Sequence, residues 1–157
     1  MNGPMIEGAR YVHTNLVARD WKALAAFYER VLGCVPVPPE RHFSGAELEA
    51  GTGLRGARLD GVHLRLPGYV DSGPTLELFT YAPIVGAPQP QVNEPGLGHL
   101  AFQVASVEAA REEFLREGGS AQGEVVTLRT ADGRHVTWCY VRDPEGNIVE
   151  LQSWSER

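Results

Sequence analysis

A chain of 157 residues with 43% hydrophobic and 22% charged residues is one domain's length of an ordinary globular protein, able to bury about 70% of its extended-chain surface without disulfide staples. No apolar run approaches the ~18 residues needed to span a bilayer, and residues 1–10 lack the apolar block of a signal peptide, so no membrane partner and a cytoplasmic location are expected. The net charge of −6 opposes nucleic-acid binding, which needs a basic face to displace counterions, and a small-molecule substrate is the partner expected instead.

Residues 1–10 read as a flexible tail. From 11 to 17 the run alternates, placing Val12, Thr14 and Leu16 on one strand face and His13, Asn15 and Val17 on the other. Asp20 is positioned to cap a helix whose apolar stripe is Leu24, Phe27, Tyr28, Val31 and Leu32, and Gly33 to end it in the left-handed conformation. Between 35 and 56 the prolines at 36, 38 and 39 and the glycines at 45, 51, 53 and 56 predict a broken edge strand with an inserted loop. Strand character returns at 57–66 and at 75–81, where Glu77 shares a face with Thr75, Phe79 and Tyr81. In the earlier of these strands His63 lies opposite the apolar Val62, Leu64 and Leu66, facing a cavity or water together with Arg65. His42 falls in the irregular loop.

Prolines 83, 88, 90 and 95 make residues 82–97 a linker. The order then repeats: a strand beginning at His99, with Ala101 and Gln103 on its face; a helix capped by Ser106, striped by Val107, Ala110, Phe114 and Leu115, and stopped by Gly118 and Gly119; then strands near 123–130, 135–142 and 147–154. The turn at Asp143, Pro144, Glu145 and Gly146 has type I chemistry. His135 and Tyr140 stand an odd interval apart and therefore face opposite ways. Cys34 and Cys139 fit no metal or redox spacing and read as reduced thiols.

The chain thus states one pattern twice, strand, helix and three strands, over 11–81 and 98–154. Each copy opens with a histidine, His13 or His99, and closes with a lone carboxylate among apolar residues, Glu77 or Glu150. A buried, unpaired carboxylate costs several kcal/mol, so these two must be solvated, paired or metal-bound. If the faces bearing His13, Glu77, His99 and Glu150 converge, one divalent ion satisfies all four. Two imidazoles and two carboxylates suit Ni, Co, Zn, Mn or Fe, with positions open to substrate, and donor softness does not choose among them. Such an ion acts as a Lewis acid on a carbonyl, holding the oxyanion formed when the neighbouring carbon loses its proton. Glu150 and Glu77 are the candidate general bases.

His13 with the following Phe27-Tyr28 and Val31-Leu32-Gly33, the run Gly98-His99-Leu100-Ala101-Phe102, and the run from Tyr140 through Asp143-Pro144-Glu145-Gly146-Asn147 to Glu150-Leu151 resemble the vicinal oxygen chelate superfamily, over about residues 11–154. That superfamily includes glyoxalases, epimerases, extradiol dioxygenases and bleomycin- and fosfomycin-resistance proteins. The resemblance implies an α+β fold of two βαβββ modules, with curved mixed sheets around a central metal-binding cavity whose ligands stand at the positions of His13, Glu77, His99 and Glu150. It also implies a homodimer. Lactoylglutathione lyases keep two histidines and two glutamates, as here, whereas epimerases of methylmalonyl-CoA have glutamine at the position of Glu77 and extradiol dioxygenases generally lack the fourth ligand. Glu77 therefore favours a glyoxalase-like lyase or isomerase passing through an enediolate-type intermediate. Tyr140 keeps an extradiol-type ring-cleavage dioxygenase as the alternative. A non-catalytic binding or resistance protein of the same fold is a third reading, against which the intact set of four ligands argues.

Overall fold

The computed structural model describes residues 5, 6 and 8–156; residues 1–4 and 7 of the expected tail, and residue 157, lie outside them. The chain divides into two compact units, the first running to Ile84 and the second beginning at Val85.

In the first unit, β1 (His13–Val17) leads into α1 (Trp21–Leu32), followed by β2 (Val35–Ser44), a short helix α2 (Ala46–Thr52), β3 (Arg58–Arg65) and β4 (Thr75–Ala82). The sheet order is β1-β4-β3-β2, with β1 parallel to β4 and the other pairs antiparallel, so the sheet is mixed. Asp20 caps α1 by accepting a hydrogen bond from the Ala23 amide, and Gly33 closes it at φ 69°. Two hydrogen bonds fix where α1 starts: the Trp21 amide donates to Thr80 Oγ1 at 3.0 Å, and that hydroxyl donates to the Ala18 carbonyl at 2.9 Å.

The buried side of α1 is Trp21, Leu24, Ala25, Phe27 and Tyr28, a stripe displaced toward the N-terminus from the expected one because Val31 and Leu32 are only half-buried. Opposite it lie Val62, Leu64, Leu76 and Leu78, all almost fully buried, each contributing roughly 2 kcal/mol by leaving water. These are the even-numbered positions of β3 and β4. The odd-numbered positions, His63 and Glu77 among them, point to the other face.

The region from 35 to 56 departs from the expected broken strand and loop in two ways. Residues 35–44 form one continuous edge strand, in which the proline-rich stretch is absorbed by a register shift between Val37 and Arg41. As an edge, β2 tolerates prolines that have no amide to donate. The inserted segment contains α2, a seven-residue helix with no buried residue.

The second unit contains β5 (Leu100–Gln103), α3 (Val107–Arg116), β6 (Ser120–Ala121), β7 (Val126–Arg129), β8 (His135–Arg142) and β9 (Ile148–Ser155). Its mixed sheet runs β5-β9-β8-β6, with β7 also pairing β8 and β5 parallel to β9. Apart from the added α2 and the two-residue β6, both units are βαβββ. Ser106 caps α3 through the Ala109 amide. Gly119 then passes so close to the helix end and to β8 that a Cβ would lie 2.8 Å from the Phe114 carbonyl and 2.7 Å from that of Arg142. Val107 and Phe114 are buried on α3, and Cys139, Val141, Val149 and Leu151 are buried on the sheet.

The β8–β9 turn is held by Asp143, whose carboxylate accepts from the amides of Glu145 and Asn147 and from Asn147 Nδ2 at 2.8–3.0 Å. Beside it the buried Arg142 donates to Gln122 Oε1 and to the carbonyls of Gly146 and Pro90, anchoring part of the proline-rich stretch to the second unit.

Candidate metal centre

Each unit brings a histidine at the start of its first strand, or just before it, to the carboxylate of its last. Parallel pairing of β1 with β4 sets His13 opposite Thr75 and Asn15 opposite Glu77. His13 Nε2 lies 3.4 Å from Glu77 Oε1, and the same oxygen accepts a 2.9 Å hydrogen bond from Asn15 Nδ2. The antiparallel β3–β4 pair adds a third group, because His63 is the direct cross-strand partner of Glu77. Its Nε2 is 2.5 Å from Glu77 Oε2, its Nδ1 is 2.8 Å from Thr75 Oγ1, and its ring meets that of His13 edge to face at 5.3 Å.

Glu77 is 9% exposed, so its charge has little water and depends on these neighbours. Burial pushes the His63 imidazole below its ordinary range, the charges of Arg41 and His13 adding to this against the attraction of Glu77. A neutral imidazole is the form that binds metals.

Donor atoms of His13, His63 and Glu77 all lie within 4.8 Å of one another, which makes these residues a group suited to a metal ion. Adjacent ligands on an ion with bonds of about 2.1 Å sit roughly 3.0–3.4 Å apart. The His13–Glu77 separation meets that spacing. The His63–Glu77 contact is shorter, as befits a direct hydrogen bond, and would have to open by about half an ångström.

In the second unit His99 immediately precedes β5, and Glu150 on β9 is the parallel partner of Ala101. His99 Nε2 lies 2.8 Å from Glu150 Oε2, with side-chain exposures of 34% and 18%. Tyr140 is the cross-strand partner of Glu150, and its ring stands 5.0 Å from that of His99 and 5.0 Å from that of Trp138. Burial, with the Glu150 charge, holds the Tyr140 phenol above its usual range.

The four residues singled out in the sequence therefore meet as two pairs, His13 with Glu77 and His99 with Glu150. His63, which the sequence left facing either a cavity or water, belongs with the first pair. Its signal was a shared strand parity with Glu77, readable only once the β3–β4 register is known. His42 is no loop residue: it lies in β2 with Nδ1 2.5 Å from Asp60 Oδ1 and Nε2 3.4 Å from Glu40. This exposed cluster is separate from the His63 face, and its carboxylates, the Asp60 hydrogen bond foremost, hold the His42 imidazole above its ordinary range. His135 pairs with Ser155 at the far end of β8, away from Glu150.

A family model described as the Glyoxalase/Bleomycin resistance protein/Dioxygenase superfamily matches residues 10–151. Among solved structures, a glyoxalase family protein from Bacillus cereus is 19% identical with a TM-score of 0.81, covering 98% of this chain and 99% of that one. A glyoxylase/bleomycin resistance protein/dioxygenase domain from Frankia sp. is 18% identical with a TM-score of 0.61, over 94% and 98% of the two chains. A lactoylglutathione lyase from Agrobacterium tumefaciens is 24% identical with a TM-score of 0.50, over 94% and 96%. At these identities the likeness is one of fold. No curated protein matches.

Proposed function

Because the chain belongs to the glyoxalase/bleomycin resistance protein/dioxygenase superfamily, we propose that it is a metal-dependent lyase or isomerase of the glyoxalase type, taking a proton from the carbon beside a carbonyl of a small metabolite. The observation that carries this reading is the repeated one: in each unit a histidine and a largely buried glutamate stand within 3.4 Å of each other, two imidazole–carboxylate pairs where one would already be uncommon.

In this reading His13, Glu77, His99 and Glu150 hold one divalent ion of the Ni, Co, Zn, Mn or Fe type. When bound, the ion supplies a Lewis acid for the substrate carbonyl. The protein's own groups move the proton. Glu77 is held at both oxygens, by Asn15 and His13 at Oε1 and by His63 at Oε2, which suits a fixed ligand. Glu150 has His99 at Oε2 and a side chain 18% exposed against 11% for Glu77, which suits the mobile base that takes the proton and returns it. Proton transfer by a positioned side chain is worth about 10²–10⁴-fold. Within the same proposal the chain works as a homodimer.

The test is exchange. Metal-loaded protein in deuterated water incorporates deuterium into small α-hydroxy or α-keto substrates, and Glu150→Gln slows incorporation by about 100-fold or more. A second reading, extradiol ring cleavage, draws on Tyr140, placed beside both His99 and Glu150. Oxygen uptake with catechols and Fe²⁺, and no deuterium exchange, would decide for it.

A further inference from the structure

We propose that His63 is a metal ligand, and that the first unit binds a divalent transition-metal ion by itself through His13, His63 and Glu77. This deepens the metal-site reading and rests on it for the class of ligand, but it departs from the four-residue set that the repeat implies. The second copy contributes no counterpart: on β8 the cross-strand partner of its carboxylate is Tyr140, where β3 offers His63 to Glu77.

Three features of the first unit support a self-sufficient chelate. The donors come from β1, β3 and β4, adjacent strands of one hydrogen-bonded sheet, so their spacing is set by backbone pairing rather than by loops. Two of the three donors have an orienting neighbour: Thr75 Oγ1 holds His63 Nδ1 at 2.8 Å, and Asn15 Nδ2 holds Glu77 Oε1 at 2.9 Å. Outer contacts of this kind set the direction of metal-binding groups. Access is also present, since the His13 side chain is 38% exposed while those of His63 and Glu77 are largely buried.

The Thr75 hydroxyl explains how one histidine serves both states. A hydroxyl donates and accepts. With no metal bound, it donates to His63 Nδ1, and the Nε2 proton goes to Glu77. With a cation between Nε2 and the carboxylate, the ring proton sits on Nδ1 and Thr75 accepts it. The Nδ1–Thr75 contact is kept in both, and only the Nε2–Glu77 hydrogen bond gives way to the ion. Arg41 opposes binding, being near enough to act on His63, although its guanidinium donates to the Pro39 carbonyl.

The test uses the full chain, stripped of metal and titrated with Co²⁺ by calorimetry and by the ligand-field absorption of the ion. His99→Ala/Glu150→Ala should still bind one Co²⁺. His63→Ala in that background should weaken binding by at least the roughly 100-fold that losing an outer-sphere partner costs. His63→Gln keeps a donor toward Glu77 without an imidazole, so it should be as weak as His63→Ala. Pulsed electron paramagnetic resonance of Cu²⁺ on the double variant should count two imidazoles, falling to one with His63→Gln. Circular dichroism of the metal-free variants verifies that each is folded.

Rescue by glutamine would reduce His63 to positioning Glu77 and overturn the proposal. So would loss of Co²⁺ from the double variant, or wild-type affinity and spectrum in His63→Ala; in both cases the four-residue site would stand. Wild-type protein that binds no divalent ion at all would overturn both readings.

Discussion

Gly61 lets β3 and β4 approach in the register that sets His63 opposite Glu77, and Gly61→Ala tests that dependence. It lies opposite Phe79, one step along the same face from the His63–Glu77 pair. A methyl group added there would stand 2.0 Å from the Leu78 carbonyl oxygen and 2.3 Å from Phe79 Cδ1, where carbon–oxygen contact needs about 3.3 Å. The Phe79 ring can turn aside. The Leu78 carbonyl cannot, because it belongs to the strand, so relief requires the two strands to part by about 1 Å. That is overpacking against backbone, at the upper end of the usual range, about 3 kcal/mol. For a chain of this size it lowers Tm by roughly 6–12 °C. Thermal melts by circular dichroism, with a urea titration for ΔG, measure it. An unchanged Tm would refute the close approach and with it the register that puts His63 opposite Glu77.

Two further outcomes follow from contacts away from the candidate centre. Asp143→Ala removes three hydrogen-bond acceptances at the β8–β9 turn, from two amides and Asn147 Nδ2; about 3 kcal/mol of stability should be lost in denaturant titrations, and roughly half of it recovered by Asp143→Asn. The hydrogen bond to Asp60, with Glu40 beside it, holds the His42 imidazole above its ordinary range. Its contribution to stability is therefore complete below the unfolded pKa and fades as pH rises through the folded one. Proton NMR should place the His42 midpoint above 6.5, and Asp60→Asn should bring it down.

The sequence exposed those parts of the fold that repeat or carry a strong local code. Asp20 and Ser106 announced both long helices, and Gly33 and Gly118 their ends, because capping is decided within four residues. Strand alternation put His13 on the face opposite Val12 and Leu16, and Glu77 on the face opposite Leu76 and Leu78. The short helix α2 left no such trace: it buries nothing, so it has no apolar stripe, and Gly51 sits within it. The extent of β2 was hidden by prolines that only an edge position excuses. His63 was hidden for a different reason. Its neighbours fixed its face relative to its own strand, but which residue it meets depends on the β3–β4 register, and a one-residue slip would leave it without Glu77.

The parallel pairings have a kinetic consequence. In each unit the first strand joins the glutamate strand, the first element closing on the last, with a long helix and at least two strands between. These are the least local contacts a βαβββ unit makes, and pairing across such a span comes late, after the chain entropy of the intervening segment has been surrendered. The helix and the hairpin can form without any donor pair existing. The two imidazole–carboxylate pairs are thus completed only when each sheet closes, so neither pair is assembled in a chain whose parallel pairing has not formed.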